Sequence, residues 1–472
     1  MPSTSHSEVR HHLGLQQVVK GTMLTVFSRK ITSPYRFTDS VSNEILDIKM
    51  LKSPKISAKK TMIAKILSSR NKWAICDRTL YPIYYLLLIL GLNQSIRPNN
   101  SLLFRIYSWL VFCLLLFTTV RKFNQIGVRP NGTRETMQEF FANPRSLITL
   151  CNALIMMSGL LASLQLYTLG AKRLKPLKIL CQFSLNVRSK EAERRQFIIN
   201  TFLAVLSGVL ALTMAATYAL SKWGYILYIV GTPNLDTETI FCVLLDSYAL
   251  FVSRAAISAL AILFYQHCSV IRRSIKHLIN EMVPAEQDEC PLPDASLQKI
   301  HDCQISYQRI YNGKAVIEEY YSFVLFYSYG VCIPIFCFLM FVVMSSQSIC
   351  WSEVVSIVIW IINAILVLLL FSLPAFMIHE DGDRLVASSF RMYHETFHEE
   401  RDLTVLSQMT FFTFQIHSTK LTLSACNYFY MDRSILLSLF SAILTYFLIL
   451  WEFDIKTRTI GGGDIGNHTL LP

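Results

Sequence analysis

The residue string with the most obvious catalytic spacing runs from His394 to His398 and reads H-E-T-F-H. On a helix the two histidines share one face, where they can bind zinc while the glutamate acts as a general base. A catalytic zinc site also needs a third ligand and a recessed position. The string lies in a charged segment with Glu399 and Glu400 and offers no obvious third ligand. We therefore interpret it as a solvated charged face and predict no catalytic residue, metal site or cofactor.

Charged residues inside long apolar segments carry more information, because burying a charge in lipid is costly. Asp246 and Arg254 lie eight positions apart in one such segment, which places them about 80° apart around a helix. They either face one water-filled cavity or pair with other groups, and both alternatives stay open. Tyr327, Tyr329 and Trp360 lie in two later segments, where they either line a pocket or simply pack. These five residues are the candidates for a ligand pocket.

Another candidate site is the end of the last apolar segment, where Glu452 precedes Phe453. A carboxylate there either marks the membrane interface or, in a symmetric oligomer, forms a ring that concentrates cations. The neighbouring phenylalanine would then form an apolar constriction that gates by dewetting.

The elements that must position these residues are long apolar helices. Of 472 residues, 52% are hydrophobic and 16% are charged, whereas soluble domains carry about 25% charged residues. Seven blocks approach or exceed the roughly 20 residues that a span needs. They are Leu102–Val120, Leu147–Tyr167, Phe197–Leu220, Ile240–Tyr265, Tyr320–Met344, Val354–Met377 and Ile435–Phe453. An eighth block, Leu80–Leu92, would form only about 20 Å of helix and contains Pro82. We predict that it is re-entrant.

The basic residues between these blocks set the orientation. With seven spans and a cytoplasmic N-terminus, 33 of the 44 lysines and arginines face the cytoplasm and 8 face outside. If the short block crossed as well, the division would be 22 against 20. The positive-inside rule therefore predicts an all-α membrane protein with seven transmembrane helices, a short re-entrant helix and an inverted topology. The net charge of +12 serves this orientation, and we predict no nucleic-acid partner.

This topology divides the chain into three parts. Residues 1–75 form a cytoplasmic, largely disordered tail, residues 76–453 form the membrane domain, and residues 454–472 form a short extracellular tail. Two cytoplasmic segments of the membrane domain, 266–319 and 378–434, are helical in pattern. We expect prolines to interrupt the first of them.

The second cytoplasmic segment has an apolar face that must pack on the bundle or on a neighbouring subunit. Its members recur at steps of three and four and are Leu403, Leu406, Met409, Phe412 and Ile416. On the outer side, the topology makes Asn131 and Asn467 candidates for N-glycosylation. It excludes the sequons at Asn93 and Asn99.

The last block resembles a family signature. Thr445 to Phe453 reads T-Y-F-L-I-L-W-E-F and is similar to the T-Y-h-h-h-h-h-Q-F motif (h apolar) of the insect gustatory receptor superfamily. Leu80–Leu92, with its Leu-Gly-Leu turn, resembles the re-entrant helix that precedes the first span in that family. Glu452 departs from the family by replacing a glutamine. The chain most resembles a nematode gustatory-receptor-like member.

The resemblance implies a homo- or heterotetrameric ligand-gated cation channel whose last helix lines the pore. Thr445, Tyr446, Glu452 and Phe453 then belong to the pore or gate, and the ligand pocket lies among the second to sixth spans. The carboxylate of Glu452 predicts stronger cation selectivity and a proton-sensitive conductance.

The resemblance also implies a multi-pass protein in the plasma membrane of neurons or sensory cells. Its partners would be lipids, fellow subunits and a small molecule or physical stimulus that the sequence does not name. Two alternatives stay open. One is a metabotropic receptor linked to G proteins, which the inverted topology disfavours, and the other is a modulatory subunit.

Overall fold

The computed structural model describes a defined part of the chain. The described residues are 82–83, 85–87, 89–91, 102–128, 133–136, 139–140, 143–168, 190–230, 237–282, 293–345, 351–399 and 403–462. The predicted tail 1–75 and the asparagines of all four sequons lie outside them. The chain divides into the units Met1–Lys65 and Ile66–Pro472, and every described residue belongs to the second unit.

Eight long helices and a small hairpin make up this described part. They are α1 (Leu102–Gln125), α2 (Pro144–Thr168), α3 (Lys190–Val230), α4 (Thr237–Met282), α5 (Pro293–Ser345), α6 (Trp351–Glu399), α7 (Leu403–Ser418), β1 (Ser424–Ala425), β2 (Phe429–Tyr430) and α8 (Arg433–Gly462). Helices α1 to α6 are long and apolar enough to cross a membrane, and they coincide with the first six predicted blocks. In α8 the apolar stretch Arg433–Ile449 is shorter. A seventh span therefore remains a prediction.

Helices α4, α5 and α6 are much longer than a bilayer requires. They contain 46, 53 and 49 residues. At 1.5 Å per residue, 46 residues extend for about 69 Å, more than twice the hydrocarbon thickness. Helix α4 ends at Met282, and α5 begins at Pro293, where proline at the first helical position needs no amide hydrogen bond. The spans thus continue as helices into the 266–319 segment, as the sequence predicts.

Helix α4 lies at the centre of the bundle. Every residue from Val252 to Phe264 is buried, so this stretch has no face toward lipid among the described residues. Alanine and serine recur along it, and such small residues let neighbouring backbones approach closely. A Cβ added at Gly159 of α2 would overlap the Cα and Cβ of Ser253. Helix α2 therefore crosses α4 backbone against backbone.

Helices α5 and α6 also pack along α4, at its second half. The ring centroids of Phe264 and Phe371 are 5.5 Å apart, and further along Arg272 Nε lies 2.9 Å from Asp381 Oδ2. From the first contact to the second, the residue number rises on both helices. Helices α4 and α6 therefore run in the same direction. Phe264 also meets Tyr321 of α5 at a centroid distance of 5.0 Å, and Tyr321 Oη lies 2.9 Å from His267 Nδ1.

The predicted re-entrant block packs one face against α1. Residues 82–83, 85–87 and 89 are helical, with Ile83 and Leu87 buried. The backbone then turns at Gly91, whose φ of 72° favours glycine. The Tyr107 hydroxyl donates to the Ile89 carbonyl at 2.9 Å and fixes this turn on α1. The re-entrant position within a membrane remains a prediction.

Helix α7 buries a face that the sequence predicts in part. Its buried residues are Val405, Met409, Phe412, Thr413 and Ile416. The prediction is correct for the last three apolar positions, but Leu403 is 80% exposed and Leu406 is only half-buried. Leu403 lies about 200° around the helix from Val405, so it cannot share the buried face.

A β-hairpin that the sequence analysis did not predict connects α7 to α8. Ser424 pairs with Tyr430 and Ala425 with Phe429. The turn places Cys426 and Asn427 at φ of 52° and 60°. Asparagine tolerates this left-handed region better than most residues, whereas the preceding cysteine gives no such signal.

The residue after the hairpin caps α8. Asp432 Oδ1 accepts hydrogen bonds from the Ser434 hydroxyl at 2.7 Å and from the Ile435 amide at 3.1 Å. These bonds stabilise the charged carboxylate and lower the pKa of Asp432. The cap therefore contributes stability above the ordinary aspartate pKa, and this contribution is lost as the pH falls through the lowered value.

Candidate functional site

All four predicted pore residues lie on α8. Thr445, Tyr446 and Glu452 are exposed, and the Thr445 hydroxyl donates to the Ser441 carbonyl at 2.8 Å. The Phe453 backbone is helical, but its side chain lies outside the described residues. The structure thus puts these residues on one helix and leaves their pore role a prediction.

The surface of α8 is largely uncovered in the single chain. Its most exposed large side chains are Leu437, Phe440, Leu444, Tyr446, Leu448 and Ile449. A shallow groove along the helix is lined by Leu437, Ser438, Ser441, Ala442, Thr445, Tyr446 and Ile449. On the inner side, the Cys337 thiol of α5 lies 3.7 Å from the Ile443 carbonyl. Helix α8 therefore attaches to α5 and presents a broad free face.

Polar contacts tie the hairpin that leads into α8 to α5. Glu318 accepts from the Ser424 amide at 3.0 Å and also from the Ser424 hydroxyl. The other oxygen of Glu318 lies 2.5 Å from Lys314 Nζ. In addition, the Cys426 amide donates to Ser322 Oγ at 2.5 Å. The start of α8 is therefore fixed to the side of α5.

A chain of alternating charges also links the start of α8 to α6 and α4. Arg433 Nη2 lies 3.1 Å from Glu380 Oε1, and Arg384 Nη2 lies 3.3 Å from the same oxygen. Arg384 also reaches Asp381, which pairs with Arg272 of α4. We call these five residues the ion chain. None of its members was a site candidate in the sequence, because its contacts join three separate helices.

Asp246 belongs to a buried ion cluster at one end of the bundle. Its carboxylate pairs with Arg121 and with Lys122, the latter at 2.5 Å, both from α1. The Tyr218 hydroxyl of α3 donates to the same carboxylate at 3.2 Å. Of the two alternatives left open by the sequence, the structure therefore shows pairing for Asp246. Sequence analysis missed Arg121 and Lys122, which lie at the end of an apolar block and are separated from Asp246 by two helices.

Arg254 has a different environment. Its side chain is 2% exposed, and its Nε and Nη2 atoms have no hydrogen-bond partner among the described residues. The titratable groups that face it are the thiols of Cys151 on α2 and Cys332 on α5. For Arg254, therefore, the described part shows no pairing with a carboxylate, and the alternative of a cavity or ligand contact stays open.

The three aromatic pocket candidates are all buried. Tyr329 Oη lies 2.5 Å from Ser372 Oγ, and its ring meets Phe429 of the hairpin edge to face. In contrast, the Tyr327 hydroxyl and the Trp360 indole nitrogen have no hydrogen-bond partner among the described residues. Tyr329 therefore makes contacts within the bundle, whereas the other two carry buried polar atoms without a described partner, and a ligand pocket at these residues remains a prediction.

The histidine string lies in the last turns of α6. His394 is exposed, and the side chains of residues 395–398 lie outside the described set. Within the described residues, no group of three or more histidine, cysteine, aspartate or glutamate side chains could hold a metal ion.

Six apolar helices of spanning length, with charges paired or enclosed inside the bundle, define an α-helical multi-pass membrane protein. Residues 80–457 match the family described as 7tm chemosensory receptor. The chain therefore belongs to the 7tm chemosensory receptor family, and the resemblance to gustatory receptors inferred from the sequence is confirmed.

Two relatives come from Caenorhabditis elegans. The chain is 92% identical over 420 residues to High-energy light unresponsive protein 1, covering 89% of this chain and 95% of that protein. It is 43% identical over 392 residues to Gustatory receptor family protein 3, covering 82% and 88%.

Solved insect structures share the fold. The olfactory receptor OR5 from Machilis hrabei superposes with a TM-score of 0.61 at 15% identity, over 79% of this chain and 97% of the receptor. The same receptor in complex with eugenol gives a TM-score of 0.55 at the same identity and coverage.

Proposed function

We propose that the protein is a chemosensory-type receptor that acts as a stimulus-gated cation channel, with α8 lining a central pore. The observation that carries this proposal is a polar stripe along the exposed side of α8. Its members are Ser438, Ser441, Thr445 and Glu452, and all four are exposed. They recur at steps of three, four and seven, so they share one helix face.

Such a stripe suits water better than lipid. Exposed apolar residues flank it on both sides, with Leu444 and Leu448 on one side and Tyr446 and Ile449 on the other. Polar and ionisable residues within membrane segments usually face a bundle interior or a water-filled cavity. Because α8 has a free face in one chain, symmetric assembly of several subunits would bring the stripes around a common axis, with Glu452 forming a carboxylate ring.

A second exposed surface, on α7, also favours the assembly of several subunits. Phe411 and Phe414 of α7 are 64% and 67% exposed, on the side opposite to the buried Phe412 face. We propose that this surface contacts neighbouring subunits in a homo- or heterotetramer. In this arrangement the N-terminus is cytoplasmic and the channel lies in the plasma membrane of sensory or neuronal cells.

High-energy light is the stimulus that we propose. It rests on the 92% identity to the C. elegans protein named High-energy light unresponsive protein 1. At that identity only 8% of the aligned positions differ, so a change of stimulus would have to come from few positions. A small-molecule ligand remains the alternative within the same channel mechanism.

Whole-cell recording tests the channel and its pore together. We expect cells expressing the chain to pass a cation current under short-wavelength illumination. Glu452→Gln should reduce the preference for cations over anions and flatten the pH dependence of the current, because it removes the carboxylate ring. Phe453→Ala should raise the current in the dark by removing an apolar constriction. Glu191→Gln, whose carboxylate is exposed on α3, is the matched control.

Each outcome of this experiment has a defined meaning. An unchanged selectivity in Glu452→Gln, beside a normal current, would remove α8 from the pore. No current from surface-expressed protein, with a current restored by a co-expressed family member, would assign a modulatory role. A light response that requires G proteins and carries no intrinsic current would assign the metabotropic alternative.

A further inference from the structure

The most unusual group inside the bundle is the guanidinium of Arg254. It lies in the middle of the predicted span Ile240–Tyr265, where an unpaired charge is least tolerated. Two of its nitrogens are buried without a hydrogen-bond partner among the described residues. Arginine keeps its charge in proteins, so deprotonation does not relieve this cost. Something else must supply negative charge.

The described carboxylates do not supply it. Asp246, eight residues away on the same helix, is occupied by Arg121, Lys122 and the Tyr218 hydroxyl. The other buried carboxylate, Asp381, pairs with Arg272 further along α4. The thiols of Cys151 and Cys332, which face Arg254, are buried and are weak hydrogen-bond acceptors.

The helix register brings other free donors to the same depth. Helices α4 and α6 run in parallel, with Phe264 beside Phe371. Arg254 is ten residues before Phe264 and Trp360 is eleven before Phe371, so this register places them at about the same depth. Both Trp360 Nε1 and the Ser253 hydroxyl adjacent to Arg254 lack a partner among the described residues. The Tyr327 hydroxyl of α5 also lacks one and lies about 7.5 Å along the helix from Cys332, at a neighbouring depth.

We infer that Arg254 binds an anionic group from outside the described chain, held between α2, α4, α5 and α6. This group is a compact inorganic anion or the carboxylate of a small organic ligand. Guanidinium and indole N–H groups and hydroxyls are all hydrogen-bond donors, so an acceptor-only anion satisfies each of them. The inference goes beyond the proposed function, because it rests on one buried cation and needs no current for its test.

Thermal unfolding of the purified full-length protein tests the site directly. The unfolding temperature is measured in sodium chloride, bromide, acetate and gluconate at equal ionic strength, since gluconate is too bulky for a packed helix interface. We expect chloride, bromide or acetate to raise it by about 5 °C or more in a concentration-dependent way. Arg254→Met should abolish this dependence, whereas Arg272→Met should lose stability and retain the dependence.

The two sources of the anion give different results. A response to chloride and bromide assigns an inorganic anion. A response to acetate alone, or an organic acid released on denaturation of wild-type protein and absent from Arg254→Met, assigns a carboxylate ligand. An identical anion dependence in Arg254→Met overturns the inference. So does the absence of both any anion dependence and any released acid.

A charge-retaining variant covers the case in which Arg254→Met does not fold. Arg254→Lys keeps the cation but replaces the planar fork with a compact ammonium. It should therefore fold and change the order in which chloride, bromide and acetate stabilise the protein. An unchanged order in this variant would place the anion elsewhere and overturn the inference.

Discussion

The contact between Gly159 and Ser253 fixes how closely two spans approach. Because a membrane offers little hydrophobic driving force between helices, close backbone packing is a main source of their association. Gly159 supplies this closeness on α2, and the Ser163 hydroxyl, one turn further, bonds back to the Gly159 carbonyl at 2.8 Å. The pair therefore sets the position of the central helix against its neighbour.

Substitution of Gly159 should be poorly tolerated. Gly159→Leu forces α2 away from the Ser253 backbone, and we expect a loss of about 1–3 kcal/mol, typical of overpacking. A lower thermal midpoint of the detergent-solubilised protein would report this loss of stability. Gly208→Leu on α3 is the matched control, because a Cβ there meets no atom within 4 Å. Equal midpoints for the two variants would contradict the close approach.

The sequence alone indicates the importance of some residues but not of others. Asp246 and Arg254 stand out as charges in an apolar block, and a sequence shows this directly. Their partners do not, because Arg121 and Lys122 come from a helix more than 120 positions earlier. Gly159 likewise resembles any glycine until the facing helix is known. A charged residue in an apolar block therefore predicts that a polar contact exists. The identity of its partner follows only from how the helices pack.

At the scale of elements, the hairpin Ser424–Tyr430 is the connection between the bundle and α8. Ser424 on β1 is buried, and the ring of Phe429 on β2 packs against Tyr329 of α5. On its other side, Tyr428 stacks on Phe326 with ring centroids 5.1 Å apart. The hairpin therefore fixes the first turn of α8 relative to α5.

Removal of Glu318 should loosen this connection. Glu318→Ala leaves the Ser424 amide without its acceptor, while the Ser424 hydroxyl keeps Asn427 Oδ1 at 3.1 Å, and the unpaired amide costs about 1–3 kcal/mol. We expect a lower thermal midpoint and faster proteolysis between α7 and α8. Glu319→Ala removes the adjacent, exposed carboxylate and serves as the control. If both variants unfold alike, Glu318 does not hold the hairpin.

Most helices could be predicted, but not their ends. Apolar length identified the six spans, and the prolines at 284 and 293 identified the break between α4 and α5. The hairpin escaped prediction because its turn uses Cys426 in a conformation that usually selects glycine or asparagine. The apolar steps in α7 gave the helix but assigned Leu403 to the wrong face, since a short pattern does not fix where burial begins.

At the scale of the whole molecule, orientation rests on the distribution of basic residues. The extensions of α4, α5 and α6 correspond to the segments 266–319 and 378–434, which the sequence assigns to the cytoplasm. The connection between α1 and α2, which the predicted topology places outside, contains an isolated bridge between Val128 and Arg134. Asn131 falls between these two residues in sequence, outside the described set.

Glycosylation mapping tests the orientation. We expect protein from mammalian cells to lose mass on treatment with peptide N-glycosidase. Thr133→Ala, which destroys the Asn131 sequon, should abolish or reduce this shift, and Asn93→Gln should leave it unchanged. Modification at Asn93 or Asn99 would reverse the predicted topology.

The ion chain described above has two halves that differ in their exposure to solvent. Arg433 and Arg384 have side chains 73% and 62% exposed, whereas Asp381 is only 3% exposed. Dissolved salt screens exposed pairs over a Debye length of about 8 Å at physiological ionic strength and affects buried pairs much less. Rising salt on that side therefore weakens the attachment of α8 to α6 while α6 stays joined to α4. The salt concentration of the solution that bathes this end of the bundle thus controls how independently the last helix moves.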